Sequence, residues 1–376
     1  DEVRMLQPSE RVFRAVALGY VDRTPAFEAP LAWGNRGYAG DFDSLRVSGA
    51  VALVTQEALA GREELLRAEA IANAARAGAR AILFINDKKG RMTLSGMSNF
   101  HGEPAAIPAY SLTWEEGQRL RRLLERGVAV NMRITTESHC LPVESANVVC
   151  TFPGRRAENI VVGAHFDSWD VGQGSIDNGL GTAILFDVAR ILRALAPSNE
   201  RGIELVWFNG EEMGLWGARK YVEMHAGDAI AAMVNMDMTG SPRGFNAMGS
   251  DHLVPLLAEV SAGLRGFEMS RGIMNRPWTN SDHQPFMTAG IPTITPLGHL
   301  DKEMVETYHD FGDTFDLVNK RYLSEAAAVV SILTHALANH PTLPVLRRSA
   351  EETRAWLTRF GLESRLRKQG EWPGGE

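Results

Sequence analysis

The chain has 376 residues, a length that favours about two domains. Hydrophobic residues make up 44% and charged residues 23% of the composition, both ordinary values for a globular protein. The net charge is −7 with dispersed basic residues, which excludes a nucleic-acid-binding footprint, and no apolar run approaches the roughly 18 residues of a membrane span.

The first part of the chain, residues 29–140, is predicted to form a domain of its own, and residues 1–28 are a segment of the second domain or lead to it. Predicted strands are Val47–Thr55, Ala81–Asn86, Ile107–Ser111 and Val128–Ile134. A helix is predicted over Arg62–Ala77, and Thr113 with Glu116 predicts a capping box at the start of another. His and carboxylate residues do not converge here, so this part is assigned no catalysis.

The second part, residues 141–345, has the pattern of an open, mostly parallel sheet flanked by helices. Its predicted strands are short and apolar: Asn159–Gly163, Ile203–Phe208, Met233–Met236 and Pro292–Thr295. Predicted helices separate them: Gly179–Leu195, Leu215–His225, His252–Ala262 and Leu323–Ala338. Residues 346–376 are predicted to form a polar helix and a frayed Pro/Gly-rich tail. The fold class is α/β, with a smaller α/β or β-rich first domain.

Only two cysteines occur, Cys140 and Cys150, which excludes a disulfide framework and a thiolate zinc knuckle. Whether the two are joined is left open. Because the chain begins at Asp1, we expect that a leader or initiator is missing, and the lack of a signal peptide then says nothing about export.

A histidine directly follows the first predicted strand of the second part, in the sequence GAHFDS. His165 would therefore lie at the carboxyl end of the sheet, where open α/β folds place their ligand sites. A neutral imidazole there is a good zinc ligand, and Asp167 can hold its orientation. The alternative is an ordinary strand-end histidine with an acid nearby.

Acidic residues occur at three further positions, each in a loop that follows a predicted strand. Asp177 opens a helix in a Gly-rich loop, so it is either an N-cap or a carboxylate that bridges two cations. Glu211 and Glu212 follow the next strand, either as acids favoured by a helix dipole or as one metal ligand and one group that faces the substrate. Asp237 ends a third strand and is either a turn residue or a ligand.

Histidines later in the chain complete the set. His309 in the sequence TYHD is either structural or a ligand. Asp282 and His283 follow Ser281, a plausible N-cap, and these two side chains line either a pocket or the surface.

Taken together, His165, Asp177, Glu212, Asp237 and His309 give one His and one terminal carboxylate for each of two metals, with one bridging carboxylate. Nitrogen and oxygen ligands without sulfur suit zinc best, with cobalt or manganese as substitutes.

At these residues the sequence resembles the dizinc exopeptidase family of bacterial leucine aminopeptidases, glutamate carboxypeptidase and carboxypeptidase Q. The resemblance covers about Asn147–Asn339 and is carried by the ordered motifs GAHFDS, SIDNGLGTA, NGEEMGLWGA, VNMDMTG, SDHQPFMTAGIP and ETYHDFGDT. The first part resembles a protease-associated domain through GYAGDFDS, VALVTQ, ANAARAGARAILFIND and IPAYSLTWEEGQRL. Such domains shape substrate access or partner contacts and carry no chemistry.

The resemblance implies two zinc ions per chain. It places one on His165, Asp177 and Asp237, and the other on Asp177, Glu212 and His309. Catalytic roles fall to Glu211 as general base and to Asp167 as support for His165. Relatives often have His-Thr at the last ligand, whereas this chain has His309-Asp310, a departure expected to alter the pocket and not the ligation.

The hypothesis is hydrolysis of peptide bonds near the N-terminus of a peptide substrate. Arg271 and Arg276 can capture a carboxylate, so a carboxypeptidase or dipeptidase of the carboxypeptidase Q type is the alternative, and solvated loop charges are the plain interpretation of these arginines. A glutaminyl cyclase with a single zinc, or a receptor-like relative without activity, are further alternatives. Relatives suggest a secreted or periplasmic protein, with a cytoplasmic one as the other possibility. The oligomeric state is not predicted.

Overall fold

A computed structural model describes residues 1–42, 47–56, 64–195 and 198–374 of the chain. The chain divides into two compact units. The first unit contains Asp1–Val143, Trp169–Gly172 and Glu306–Gly312, and the second contains Glu144–Ser168, Gln173–Val305 and Asp313–Glu376. Among the described residues, no helix combines the length and the apolar character needed to cross a membrane.

The first unit contains a mixed sheet of eight strands in the order β2-β1-β8-β4-β5-β6-β7-β3. The strands are β1 (Glu2–Gln7), β2 (Arg11–Val12), β3 (Ala15–Ala17), β4 (Thr24–Trp33), β5 (Val51–Thr55), β6 (Ala81–Ile85), β7 (Ala109–Leu112) and β8 (Asn131–Thr136). Strands β4 to β7 are parallel, and the outer pairs are antiparallel. The four strands predicted in this part are present with shifted ends, whereas the four N-terminal ones were not predicted.

Two helices cover the two faces of this sheet, α1 (Arg67–Arg76) and α2 (Trp114–Glu125). Because side chains alternate along a strand, Leu53 shares a core with Leu120 of α2 whereas Val54 shares one with Ile71 of α1. The predicted start of α1 at residues 62–63 lies outside the described residues.

The predicted capping box of α2 is half wrong. The Thr113 hydroxyl accepts the N–H of Glu116, as an N-cap does. The Glu116 carboxylate, however, accepts the N–H of Arg14 from the distant β2–β3 segment and the Thr113 hydroxyl at 3.4 Å, instead of the main-chain N–H of Thr113 that a capping box requires. A long-range partner has therefore taken the acceptor that the local pattern assigned to the cap.

The second unit contains a seven-stranded sheet in the order β14-β13-β15-β12-β10-β11-β9. The strands are β9 (Val148–Phe152), β10 (Asn159–His165), β11 (Gly202–Phe208), β12 (Ile230–Asn235), β13 (Ser241–Asn246), β14 (Gly272–Met274) and β15 (Thr293–His299). The central strands β11, β10, β12 and β15 are parallel. Strand β9 pairs antiparallel with β11 and β13 pairs antiparallel with β15, while the edge strand β14 is parallel to β13. This pairing confirms the predicted mostly parallel sheet. Its strands are continuous apolar segments because the sheet is buried on both faces.

Helices lie on both faces of this second sheet. The α-helices that the structure describes in this part of the chain are α3 (Leu180–Leu195), α4 (Trp216–Met224), α5 (Val254–Gly263), α6 (His283–Thr288), α7 (Lys302–Glu306), α8 (Lys320–Asn339), α9 (Ala350–Arg359) and α10 (Glu363–Lys368). Val162 of β10 shares a core with Leu185 of α3 and Val330 of α8. Its neighbour Val161 shares one with Tyr221 of α4 and Phe286 of α6. The site residues are therefore carried by a sheet that is packed on both sides.

The C-terminal segment departs from the prediction of one polar helix and a frayed tail. Two short helices form there, and Gln369 is 1% and Trp372 7% exposed. Trp372 packs in a small core with Trp356 and Leu366. Indole burial on this scale anchors the tail as far as the described residues extend.

Candidate metal centre

His165 ends β10, the central parallel strand, and is 1% exposed. Its Nδ1 lies 3.1 Å from the main-chain oxygen of Asp167. A carbonyl can only accept, so Nδ1 carries the hydrogen and Nε2 carries the lone pair of the neutral ring. Nε2 lies 3.3 Å from Asp177 Oδ1 and 3.5 Å from Asp237 Oδ1, and it makes no hydrogen bond to any described residue. A lone pair that faces two carboxylates requires a proton or a cation between them.

Two groups of side chains could hold a metal ion at this position. His165, Asp177 and Glu212 form one group, and His165, Glu211 and Asp237 form the other. In each group the candidate ligand atoms lie within 4.8 Å of one another. His165 ends β10, and the acids come from loops after β10, β11 and β12. They meet because adjacent parallel strands bring their carboxyl ends to the same edge. Four acids around one imidazole, without sulfur, form a donor set that fits zinc.

The Asp177 loop is held by side chains that the sequence prediction missed. Asn178 Oδ1 accepts the N–H groups of Gly181 at 3.0 Å and Met238 at 3.2 Å, and Asn178 Nδ2 donates to the oxygen of Met236 at 2.9 Å. The capping of α3 therefore falls to Asn178, next to Asp177. A side chain on Gly181 would lie 2.5 Å from the Met236 oxygen, so only glycine allows this approach. Asn178 ties the loop after β10 to the turn after β12.

A second missed residue, Asp313, fixes the other side of the same loop. Its carboxylate accepts the N–H of Ile176 at 2.7 Å and that of Asp177 at 3.0 Å. Burial raises the pKa of Asp313, and these main-chain donors partly offset the increase. The turn-forming sequence Asp177-Asn178-Gly179 predicts a loop. It does not predict that a carboxylate 136 positions away binds this loop.

Asp167 connects the histidine to the acidic pair. Its carboxylate accepts the N–H of Glu211 and that of Glu212, each at 3.1 Å, and lies 3.8 Å from His165 Nδ1. Its main-chain oxygen, not its carboxylate, receives the imidazole hydrogen. Asp167 therefore orients both the ring and the turn that carries the two glutamates.

Burial and crowding set the electrostatics of the cluster. Burial alone would lower the pKa of His165, but the charge of Glu211 and the contacts with Asp177 and Asp237 together raise it well above its usual value. Burial raises the pKa of Glu211 well above its ordinary value, and the charges of Glu212 and Asp237 act in the same direction. In the absence of a cation, protons must therefore take its place.

Asp282 and His283 lie at the start of α6. Asp282 is 0% exposed and neither carboxylate oxygen has a hydrogen-bond partner among the described residues. Burial raises its pKa well above the ordinary range. His283 is also 0% exposed, burial lowers its pKa to about 4, and its Nε2 donates to the Trp278 oxygen at 2.9 Å. The predicted N-cap role of Ser281 is wrong, since its hydroxyl accepts from Asn235.

The two arginines suggested for carboxylate capture flank the edge strand β14. Both are exposed. Arg271 donates to the main-chain oxygen of Gly298 at 3.2 Å, and the main chain of Arg276 is held by Asn246 at 2.8 and 3.0 Å. Their contact with substrate stays a prediction.

His309 belongs to the first unit and is described within it. Its Nδ1 lies 3.3 Å from the main-chain oxygen of Ser95, and the N–H of Ser95 donates to the oxygen of His309 at 3.0 Å. Its ring stacks on Tyr308 with a centroid distance of 3.6 Å. The Nδ1 contact again assigns the lone pair of the neutral ring to Nε2. The ligand role of His309 stays a prediction.

Comparison of the sequence with known protein families finds two matches. Residues 147–334, half of the chain, match the family described as Peptidase family M28. The chain belongs to peptidase family M28. Residues 25–120 match the PA domain, the protease-associated domain. Both resemblances inferred from the sequence motifs are confirmed.

Named relatives of this M28 chain differ in activity. It is 26% identical to carboxypeptidase Q of Mus musculus over 251 residues, which are 65% of this chain and 53% of that one. It is 27% identical to aminopeptidase YwaD of Bacillus subtilis over 316 residues, 81% of this chain and 65% of that one. The chain spans about half the length of the carboxypeptidase Q relatives that it matches. The structure of BSAP, a zinc aminopeptidase from Bacillus subtilis, has the same fold, with a TM-score of 0.71, 21% identity and coverage of 92% and 84% of the two chains.

Proposed function

We propose that this M28 chain is a metal-dependent exopeptidase that removes residues from the N-terminus of peptides. The observation that carries the proposal is the buried Nε2 of His165, which faces Asp177 and Asp237 without a hydrogen bond to a described residue. A divalent cation satisfies all three groups at once, whereas a purely structural core has no reason to collect them.

The proposed cofactor is two Zn²⁺ ions per chain, with Co²⁺ or Mn²⁺ as substitutes. One ion would bind His165, Asp177 and Asp237, and the other would bind Asp177, Glu212 and His309. The likeness to a protein named a zinc aminopeptidase supports zinc, as does a donor set of nitrogen and oxygen. Asp177 has two carboxylate oxygens, which allows it to bridge the pair.

Glu211 is the proposed general base. When bound, the cations would supply an acidified water and an electrophile for the scissile carbonyl. Glu211 then takes a proton from the attacking water and returns it to the leaving amine. A glutamate carboxylate can both accept and release a proton, as this role requires. Asp167 holds the Glu211 main chain and His165 in register for this step.

The choice of peptide end separates two candidate activities. Aminopeptidase YwaD and BSAP support N-terminal cleavage, and the acid-rich cluster suits a free α-amine. The similarity to carboxypeptidase Q supports C-terminal or dipeptide cleavage, in which Arg271 and Arg276 would bind a carboxylate. The first is our conclusion, because the match to YwaD covers more of both chains.

The experiment is mass spectrometry of a mixed tripeptide pool incubated with zinc-loaded protein, with matched N-acetylated peptides alongside. We expect loss of N-terminal residues from the free peptides only. Loss of C-terminal residues regardless of acetylation would replace the aminopeptidase with a carboxypeptidase. Intact peptides, with two zinc ions bound per chain, would reject the exopeptidase proposal.

Further assignments follow from the same proposal. Residues 29–140 are the proposed protease-associated domain and residues 141–345 the catalytic domain, with peptides as the binding partner. Export to the periplasm or the exterior stays a prediction, which fractionation of the source cells would test.

A further inference from the structure

The strongest unexplained feature outside the acidic cluster is a loop of the first unit that grips the segment around His309. We call residues Thr93, Leu94 and Ser95 the anchor loop. Thr93 and Ser95 are each 1% exposed. The loop follows β6 in the protease-associated part of the chain, which was assigned no role in catalysis.

Four hydrogen bonds join the anchor loop to His309 and Asp310. The Asp310 carboxylate accepts the Thr93 N–H at 2.7 Å and the Thr93 hydroxyl at 2.9 Å. The Ser95 N–H donates to the His309 oxygen at 3.0 Å, and His309 Nδ1 donates to the Ser95 oxygen at 3.3 Å. One contact thus holds the imidazole, one holds the His309 main chain, and two hold the side chain of the neighbouring Asp310. His309 has a φ of 57°, a conformation that non-glycine residues seldom adopt unless their surroundings impose it.

The anchor loop is itself held to the body of the first unit. Arg67 of α1 donates to the Ser95 oxygen at 3.1 Å and to the Leu94 oxygen at 3.3 Å. The Leu94 N–H donates to the hydroxyl of Ser111 in β7 at 3.1 Å. Burial lowers the pKa of Arg67 to about 10, which leaves it charged at neutral pH. Arg67 is half-buried and also donates to Gln56 Oε1 at 3.3 Å. A guanidinium that donates to two loop carbonyls rigidifies that loop.

From these contacts we infer that the anchor loop is a positioning element for the metal ligand His309. This inference rests on the proposed function, in which His309 binds the second cation through Nε2. Ser95 fixes the tautomer and the ring orientation, Thr93 holds the side chain of the neighbouring Asp310, and Arg67 fixes Ser95. Outer partners of this kind typically change metal affinity by about 10–100-fold. The departure from His-Thr to His309-Asp310 then has a function, because Asp310 supplies the acceptor for Thr93.

The test is stepwise metal affinity of the full chain, measured by competition with a chelating indicator for Zn²⁺ and by the visible spectrum of the Co²⁺-loaded protein. The reference variant His309→Ala identifies the site that contains this residue, since it should lose one of two equivalents. Asp310→Ala should weaken that same site by about 10–100-fold, and Thr93→Val by about 10-fold. The other site should keep its affinity.

Controls separate positioning from general destabilisation. Thr93→Ser keeps the hydroxyl and should restore the affinity that Thr93→Val loses. Glu115→Ala removes a carboxylate that accepts the N–H groups of Gly90 and Arg91, just before the anchor loop. It should lower the melting temperature and leave both metal affinities unchanged.

The outcomes distinguish the inference that the anchor loop positions His309 from the proposal that His309 is a metal ligand. If His309→Ala keeps two equivalents at wild-type affinity, the ligand assignment fails and the inference fails with it. If His309→Ala loses one equivalent while Asp310→Ala and Thr93→Val bind both ions like the wild type, only the inference is overturned. Equal weakening of both sites by Thr93→Val and Glu115→Ala would also overturn it.

Discussion

His165 and His309 are oriented by the same kind of contact, but the residue that provides it is close in sequence for His165 and distant for His309. Each imidazole donates from Nδ1 to a main-chain oxygen, so each presents the lone pair of its neutral ring at Nε2. For His165 the oxygen belongs to Asp167, a separation of 2 positions along the chain. For His309 it belongs to Ser95, a separation of 214 positions.

The two arrangements depend on folding in different ways. His165 and its acceptor form once the end of β10 is in place, because the strand and its loop fix both. His309 requires the first unit to fold, to place the anchor loop and to hold it with Arg67. We therefore expect that mutations in the first unit affect the chemistry of His309 and spare that of His165.

The largest expected effect belongs to Glu211, the proposed general base. Glu211→Gln keeps the size of the side chain and removes the proposed base, so kcat should fall by about 10²–10⁴-fold. Metal content, measured by atomic emission, should not change, because the cluster retains Glu212 and the other acids. Near-wild-type kcat in a variant with full metal content would reject Glu211 as the base.

The next effect isolates the region of His165. Asn178→Ala leaves the N–H groups of Gly181 and Met238 and the oxygen of Met236 without their partner, which should cost about 2–5 kcal/mol of unfolding free energy. The turns that carry Asp177 and Asp237 are then no longer tied, so metal affinity should fall as well. Chemical denaturation and metal titration measure the two losses.

A matched variant is available at Asn246, which is 2% exposed. It makes the same kind of contacts, with the N–H groups of Met248 and Arg276 and the oxygen of Arg276. Asn246→Ala should cost a similar unfolding free energy and leave metal affinity unchanged. Equal loss of metal in both variants would mean that Asn178 acts through stability alone.

The two regions also show what the sequence can predict. His165, Glu211, Glu212 and Asp237 follow apolar strands, and parallel strands bring such positions to one edge, so local pattern was sufficient to group them. Asn178 and Asp313 were missed, and the Glu116 cap was misassigned, because their partners lie 60, 136 and 102 positions away. The buried tail was missed because Trp372 needs a tertiary partner to pack against.

A smaller effect concerns Asp282, whose carboxylate has no partner among the described residues. Because burial raises its pKa in the folded chain, the unfolded chain releases this proton first as the pH rises above 3.8. The metal-free protein therefore loses stability as the pH rises through the folded pKa. Asp282→Asn should remove that penalty at pH 7 and raise Tm by about 2–4 °C for each kcal/mol gained.

Calorimetry of metal-free Asp282→Asn at pH 5 and pH 8 provides the check. The stabilisation should be larger at pH 8, because the free-energy cost of keeping the proton in the folded chain grows as the pH rises from 3.8 towards the raised pKa of the folded chain. A gain that is independent of pH, or a loss of stability, would show that Asp282 is charged and satisfied in the folded protein.

The smallest effect belongs to the outermost contact of the His309 region. Arg67→Lys keeps the charge but replaces a planar fork with a point donor that cannot hold the Leu94 and Ser95 oxygens in the same geometry. Arg67 acts through Ser95, one contact further from the ion, so the weakening should be below about 10-fold and confined to the site of His309. An equal loss at the site of His165 would mean that the first unit stabilises the whole chain without orienting this ligand. The ratio of the two stepwise affinities, more than either value, decides between these accounts.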